Sequence, residues 1–352
     1  MRYLYNKVAQ ILNAVNFNDI WDGFSRYEFA LYDENTVYLE EHTIPRDNRF
    51  LGNTAIDYEG RLIAIWKILN PLEEDEEELA SNLVHEMFHV FQGSNNETRY
   101  PNDLVMLNYP DLLDNFRAKR IENLALYKAF FAKGQDEKGD YLNQFIAIRE
   151  YRKSIIGDII TQEYYTETIE GLAEYAGCMA LKQISSKKYE KRMKDYIGKL
   201  VILDNNFFDH RRLLYYSGAV FCIILKEMNI NIHHQIGSTA KSFFEIISEK
   251  FIPKSFTLDR EDDDLLNIFK EYVATKGERF TTFLKEHNNK IDGDFVICGY
   301  DPMNMIKMNN KILCYHFIML HNEQQKEPLF IKGPLMLFLE EGTNNRVYAY
   351  II

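Results

Sequence analysis

The chain has 352 residues, a formal net charge of −12, 46% hydrophobic and 27% charged residues, and four cysteines. This balance allows a core of ordinary size, while the acidic excess excludes a general nucleic-acid or anionic-membrane binder, since both need positive surface against phosphate. No apolar run reaches the roughly 20 residues of a membrane span, and the absence of a C-x-x-C pair excludes a zinc ribbon or a redox dithiol.

Residues 1–17 show a helical apolar pattern without a continuous apolar stretch or a small-residue cleavage site, so no signal peptide is expected. Cys178, Cys222, Cys298 and Cys314 sit among apolar neighbours and predict buried thiols in a reducing, cytoplasmic setting. From 27 to 67 the alternating runs YEFALYD, NTVYLEE and NTAIDYEGRLIAIWKI flank Asp33-Glu34-Asn35 and Glu59-Gly60, a pattern of two β-hairpins. From about 70 to 285 the period is helical, with amphipathic stretches near 71–92, 111–133, 138–183, 187–203, 211–229, 238–250 and 262–286. The basic cluster SSKKYEKRMKDYIGK at 185–199 reads as a solvated helix face. Beyond Asn289 the runs DFVICGY, KILCYHFIML, PLFIKGPLMLFLEE and RVYAYII are β-rich. The expected fold is therefore α+β: a body over 1–289, with its β region in 1–69 and helices in 70–289, and a small β appendage over 290–352.

Within the first long helix, NPLEEDEEELASNLVHEMFHVFQG places Asn70 as N-cap, Pro71 at the first helical position and Glu73 at N3, with Gly93 as a stop. Leu79, Leu83, Val84, Met87, Phe88 and Phe91 form a wide apolar side. His85 and His89 share a different stripe with Glu78, Asn82 and Gln92. Four residues is just over one turn, so the two imidazoles project side by side and can reach one ion. Glu86 is offset by roughly 100° and stands where a base for a metal-bound water belongs. Two buried, hydrogen-bonded histidines would give the same pentapeptide, so a third ligand is required.

None of His42, His210, His233, His234, His287, His316 and His321 lies a short distance past His89, as a metzincin requires. The adjacent His233 and His234 would point to different helix faces. In TQEYYTETIEGLAEYAG, 161–177, Glu163, Glu167, Glu170 and Glu174 recur at spacings of four, three and four, with no Lys or Arg on their stripe. Such like charges cost a few tenths of a kcal/mol per pair, so the stripe must face water or find cations. The small Gly171, Ala173, Ala176 and Gly177 let another helix approach closely, which argues against a solvated face.

HEMFH followed by EGLAEY resembles the gluzincin metallopeptidases. More narrowly, WDGF at 21–24, HEMFHVFQ at 85–92, EGLAEY at 170–175 and YYSGAVF at 215–221 resemble an uncharacterised bacterial family of predicted metallopeptidases. That family carries W-P-G-F, H-E-x-F-H-V-F-Q, E-G-L-A-x-Y and Tyr-x-x-Gly segments. The resemblance implies a zincin-like fold in which His85, His89 and Glu170 bind Zn²⁺, Glu174 orients a ligand histidine and Glu86 is the general base. It also implies that Tyr215, three positions before Gly218, donates its hydroxyl to the oxyanion, with Tyr216, His210 or Arg212 as alternatives. NTAIDYEGRLIAIW resembles the edge strand on which gluzincins lay an extended substrate. Two departures stand out: Ile169 replaces the usual Asn, and Glu170 follows His89 by 81 positions. The implied activity is hydrolysis of a peptide or protein substrate. A non-catalytic peptide- or partner-binding protein, and a zinc hydrolase of a non-peptide amide or ester, are the alternatives.

Overall fold

Helix α1 (Arg2–Asn13) puts Leu4, Tyr5, Val8 and Leu12 on one face, and that face closes one side of the principal core. The computed structural model describes residues 1–233, 236–253, 255–258, 262–322 and 327–352. After the short α2 (Phe17–Ile20) come five strands: β1 (Phe29–Tyr32), β2 (Thr36–Tyr38), β3 (Thr43–Pro45), β4 (Thr54–Tyr58) and β5 (Arg61–Lys67). Their order is β3-β2-β1-β5-β4, so β4 is an edge. Both expected hairpins form. Asp33 Oδ1 accepts from the amides of Asn35 and Thr36 at the first turn. Glu59 (φ 53°) and Gly60 (φ 78°) give the second turn its left-handed pair. The parallel pairing of β1 with β5, Phe29 opposite Ala64, is non-local, and no short window of sequence announces it.

The helical body comprises α3 (Glu76–Ser94), α4 (Asp103–Met106), α5 (Leu113–Phe131), α6 (Gln135–Ile156), α7 (Ile160–Thr166), a π turn (Glu167–Gly171), α8 (Leu172–Ile184), α9 (Ser186–Val201), α10 (His210–Glu227), α11 (Phe243–Ser248) and α12 (Asp263–Glu286). No helix is long and apolar enough to cross a membrane among the described residues. The stretch 138–183 is thus several helices: Gly157, at φ +64°, breaks it, and the π turn offsets the residues beyond it. Of 238–250 only α11 is helical, started by the capping box of Ser242 and Glu245. Helix α3 starts later than Asn70. Asp75 is the N-cap, accepting from the amides of Glu77 and Glu78, while Asn70 to Glu73 forms a separate turn. Gly93 lies inside the helix, where a Cβ would stand 3.1 Å from Leu62 Cδ1, and Asn95 is the C-cap.

The C-terminal strands are β6 (Lys290–Tyr300), β7 (Met305–Met308), β8 (Lys311–Cys314), β9 (Phe317–His321), β10 (Leu329–Lys332), β11 (Leu335–Leu339) and β12 (Arg346–Ile351). They form one sheet, β10-β9-β6-β12-β11-β8-β7, whose pairs are antiparallel. Alternation sorts its faces: Leu313, Met336 and Ile351 meet Phe280 and Phe283 of α12, while Ile312, Leu335 and Leu337 face a second core that includes Leu104. The expectation of buried cysteines holds for Cys178, Cys222 and Cys314 but not for Cys298, which is exposed. The basic cluster of α9 is also less solvated than its composition suggests. Arg192 reaches Glu78, Ser81 and Asn82 across the start of α3, and Lys188 pairs with Asp75 and Glu77.

Two close approaches fix the helices around the site. A Cβ on Gly177 would stand 3.0 Å from the Ser81 carbonyl, so α8 and α3 touch backbone to backbone. A Cβ on Gly171 would stand 2.7 Å from Gly218 Cα, and one on Gly218 would stand 2.7 Å from Gly171 Cα. Neither backbone can yield as a flexible side chain would. Gly218→Ala is expected to destabilise the chain by about 1–3 kcal/mol through overpacking. Urea unfolding checks this, and an unchanged midpoint would contradict the contact.

The four-glutamate stripe is split between two destinations. A π turn holds one more residue than an α turn, so residues beyond it roll relative to those before. Glu163 and Glu167 turn toward α5 and α6 and find cations there. Glu163 accepts from Arg152, Lys119 (3.3 Å) and the Tyr109 hydroxyl (2.6 Å). Glu167 accepts two bonds of 2.5 Å from Arg149 and one from Ser217 Oγ. Glu122 completes the cluster, accepting from Lys119, Arg149 and Arg152 at 2.8, 3.0 and 2.7 Å. Burial raises the Glu122 carboxyl, but Arg149, Arg152 and Lys119 outweigh it and hold it at about 2. The same kind of balance, led by Arg152 and Lys119, keeps Glu163 well below the usual carboxylate range. Depressed folded values mean stability that is present above the unfolded value of about 4.3 and lost as pH falls through the folded one. Stability by urea unfolding is therefore expected to drop steeply below about pH 4.5; a flat profile down to pH about 3 would contradict the cluster's role.

Candidate metal centre

Helix α3 presents His85 and His89 one turn apart, with ring centroids 4.8 Å apart, and α8 with its preceding π turn presents Glu170 and Glu174 opposite them. His85 Nδ1 lies 3.0 Å from Glu174 Oε2, and His89 Nδ1 lies 2.8 Å from Gln92 Oε1. Gln92 Nε2 donates to the Ile169 carbonyl at 3.0 Å, which fixes its amide and makes Oε1 the acceptor. Each Nδ1 therefore carries a proton, and in the neutral ring each Nε2 presents a lone pair. Those two nitrogens face each other at 3.1 Å, and Glu170 Oε2 stands 3.6 Å from the first and 3.2 Å from the second.

With both rings neutral, two lone pairs and a carboxylate at such distances repel one another unless a proton or a metal cation sits between them. Two nitrogens each 2.0–2.1 Å from a tetrahedral ion would be about 3.3 Å apart, which falls between the separations found. Among the described residues this is the cluster of three or more His, Cys, Asp or Glu side chains that could hold a metal ion. The donor set, two neutral imidazoles and one carboxylate with each imidazole held from behind, fits zinc.

The electrostatics agree. Burial works against a charged imidazole at His85, but Glu170 and Glu174 outweigh it and hold the group well above the ordinary histidine range. His89 is raised against its burial by Glu170. Glu170 itself, although buried, is held well below the usual carboxylate range by the two histidines and Arg211. The pocket favours positive charge where the three side chains meet. Burial pushes the Glu86 carboxyl up, opposed by the two imidazoles.

Neighbouring side chains set the frame. Glu174 accepts from the Tyr196 hydroxyl of α9 through its other oxygen. Trp21 packs edge-on against Phe88 of α3 and Tyr175 of α8, so the WDGF segment pins the helices that carry the two histidines and Glu174 from behind the site. Met87 and Phe88 are fully buried core residues.

Among the oxyanion candidates, Tyr215 is the one beside the site. Its ring lies parallel to His85 at 6.1 Å, and burial and the nearby Glu170 charge raise its hydroxyl well above the ordinary tyrosine range. Tyr216 is rotated away, packed on Tyr196 at 4.5 Å under Lys199. His210 stacks on Tyr109 at 4.1 Å, and Arg212 is half-exposed beside Asp209. The cation near the cluster is instead Arg211, one turn before Tyr215, which bonds Asp103 and stands 3.5 Å from Glu170 Oε1. Its spacing of four from Tyr215 was the available signal; Asp103, from a one-turn helix, gave none. Of the remaining histidines, His233 lies outside any helix, stacked on Trp21 and 2.9 Å from Asp22, and His234 is outside the described residues. No family model matches the chain, and no curated protein or solved structure matches it either.

Proposed function

We propose that the chain is a zinc-dependent peptide hydrolase with a zincin-like arrangement of the gluzincin kind, working in the cytoplasm, where its four free thiols suit a reducing medium. The observation that carries this is the convergence of His85 Nε2, His89 Nε2 and Glu170 Oε2, with both Nδ1 protons committed elsewhere. His85, His89 and Glu170 would hold a zinc ion there, which would supply Lewis acidity and bring the pKa of a water toward about 7.

The residues of the chain do the rest. Glu86 is adjacent to His85 in sequence, and its raised carboxyl, moved toward neutrality by burial, suits a group that takes the proton of the attacking water and returns it to the leaving amine. Tyr215 keeps its proton at working pH and donates it as a hydrogen bond to the charge developing on the carbonyl oxygen. Glu174 and Gln92 keep the histidine tautomers fixed throughout. The free edge of β4 offers unpaired backbone groups along which an extended peptide can lie.

The test is incubation of the zinc-loaded chain with a mixed peptide library and mass-spectrometric detection of products. New termini that vanish with a chelator and return with zinc are expected. An intact library in the presence of stoichiometric zinc would contradict peptide hydrolysis.

A further inference from the structure

A cleft of about 390 Å³ lies between the helical body and the C-terminal sheet. Asp103 and Arg211 line it, and Arg211 Nη2 also stands 3.5 Å from Glu170 Oε1, so a single side chain separates the cleft from the metal cluster. A volume of this order accommodates a small ligand or a few peptide residues.

The lining is unusual for a chain of net charge −12. Arg211, Lys276, Arg279 and Lys307 face it against the carboxylates of Asp103 and Asp209. Both carboxylates are engaged: Asp103 bonds Arg211, and Asp209 caps α10 by accepting from the Arg212 amide, with the Arg212 guanidinium 3.5 Å away. Lys276 is held 2.9 Å from Asp111. Lys307, from β7, donates to amide oxygens rather than to a carboxylate, Asn108 Oδ1 at 2.5 Å and Asn344 Oδ1 at 3.5 Å, and burial lowers its pKa. Arg279 is exposed on α12 and lines the cleft beside Tyr315. Among the described residues two buried nitrogens of the lining, His210 Nδ1 and Arg211 Nε, have no hydrogen-bond partner. The cleft thus holds more cations than carboxylates along its lining.

We propose that this cleft, taken as the substrate side of the proposed hydrolase site and resting on that reading, binds a carboxylate-bearing peptide segment next to the scissile bond, with Arg279 and Lys307 as the anionic anchor points. The carboxylate is supplied by a Glu or Asp side chain or by the peptide's own C-terminus. Neither source requires a metal, so binding and hydrolysis separate experimentally.

The probes are fluorescein-labelled Gly/Ala octapeptides carrying three Glu, three Gln or three Lys, each with a free or an amidated C-terminus. Fluorescence anisotropy is read on the full-length Glu86→Gln chain, so that no probe is cleaved, and on His89→Ala, which lacks a metal ligand. The Glu peptides are expected to bind roughly tenfold tighter than the Gln peptides, with the Lys peptides weakest, on both proteins. Arg279→Gln and Lys307→Gln are each expected to remove most of that preference, and raising salt from about 50 to about 300 mM to weaken it. Amidation that abolishes binding of the Gln peptide as well would identify the terminal carboxylate as the bound group. Equal affinity for all three compositions that amidation leaves unchanged, no binding of any probe, or a Glu preference that survives both substitutions would overturn the proposal. A Glu preference in a chain that takes up no zinc would count against the hydrolase reading and leave the cleft assignment standing.

Discussion

His89→Ala, saturated with zinc and then desalted, is expected to lose metal affinity by more than about 100-fold, beyond the range set by outer partners of a ligand. The replacement removes one of three converging donors and leaves His85 Nε2 and Glu170 Oε2, 3.6 Å apart, as an incomplete set. Glu174→Gln and Gln92→Leu act differently, because they leave all three donors in place and loosen a tautomer or ring orientation. Each is expected to weaken zinc by about 10–100-fold. Competition with a zinc-responsive chelator ranks the four proteins. Binding also adds to folding stability: at free zinc about 1,000 times the dissociation constant, the wild-type chain gains about 4 kcal/mol, a gain that His89→Ala should not show. Equal affinity in the wild type and His89→Ala would remove the histidine pair from the site.

Arg152→Leu is expected to destabilise the chain by about 3–5 kcal/mol, the cost of breaking a buried ion cluster from one side. Arg152 is fully buried and donates to Asn115 Oδ1 at 3.0 Å, Glu122 Oε2 at 2.7 Å, Glu163 and the Tyr109 hydroxyl at 2.5 Å. Leucine leaves two carboxylates short of their cation in a region without water access. Lys199→Ala breaks a pair with Asp195 in which both side chains are about half exposed, and should change stability by less than about 1 kcal/mol. Urea unfolding compares the two. A loss below about 1 kcal/mol for Arg152→Leu would mean that the cluster does not hold α5, α6 and α7 together.

The range of each interaction decides whether it is legible in the sequence. The histidine stripe of α3 is a helical-period pattern, and its apolar side and its ligand side both lie where the periodicity places them. The hairpin turn at Glu59-Gly60 is equally local. The glutamate stripe shows the limit. Spacings of four, three and four place its carboxylates together on an ideal helix, but a single π turn sends Glu163 and Glu167 to buried arginines and leaves Glu170 and Glu174 for the histidines. Nothing in ETIEG distinguishes an α from a π turn. The closeness of Gly171 to Gly218, beside that turn, is a contact between segments 47 positions apart. Helix α3 illustrates a smaller ambiguity: Asn70-Pro71 and Asp75 both offer starting signals, and the later one wins because Asp75 accepts two amides and is tied to Lys188 of α9. Arg211 stands between His210 and Arg212, and only its spacing of four from Tyr215 on α10 marks it as the one of the three that faces Glu170. The seven-stranded sheet was visible as β-rich texture, whereas its order, with β12 between β6 and β11, is wholly non-local.

In the proposed hydrolase His85, His89 and Glu170 hold a zinc ion and Glu86 manages the proton. The most direct test is a single paired determination on purified wild type and Glu86→Gln: zinc per chain, and the rate of cleavage of a peptide selected from the library. One zinc per chain is expected in both proteins, with a rate in Glu86→Gln reduced by about 10²–10⁴-fold, the contribution of a positioned general base. Chains that carry no zinc, or a Glu86→Gln rate equal to that of the wild type, would contradict this assignment.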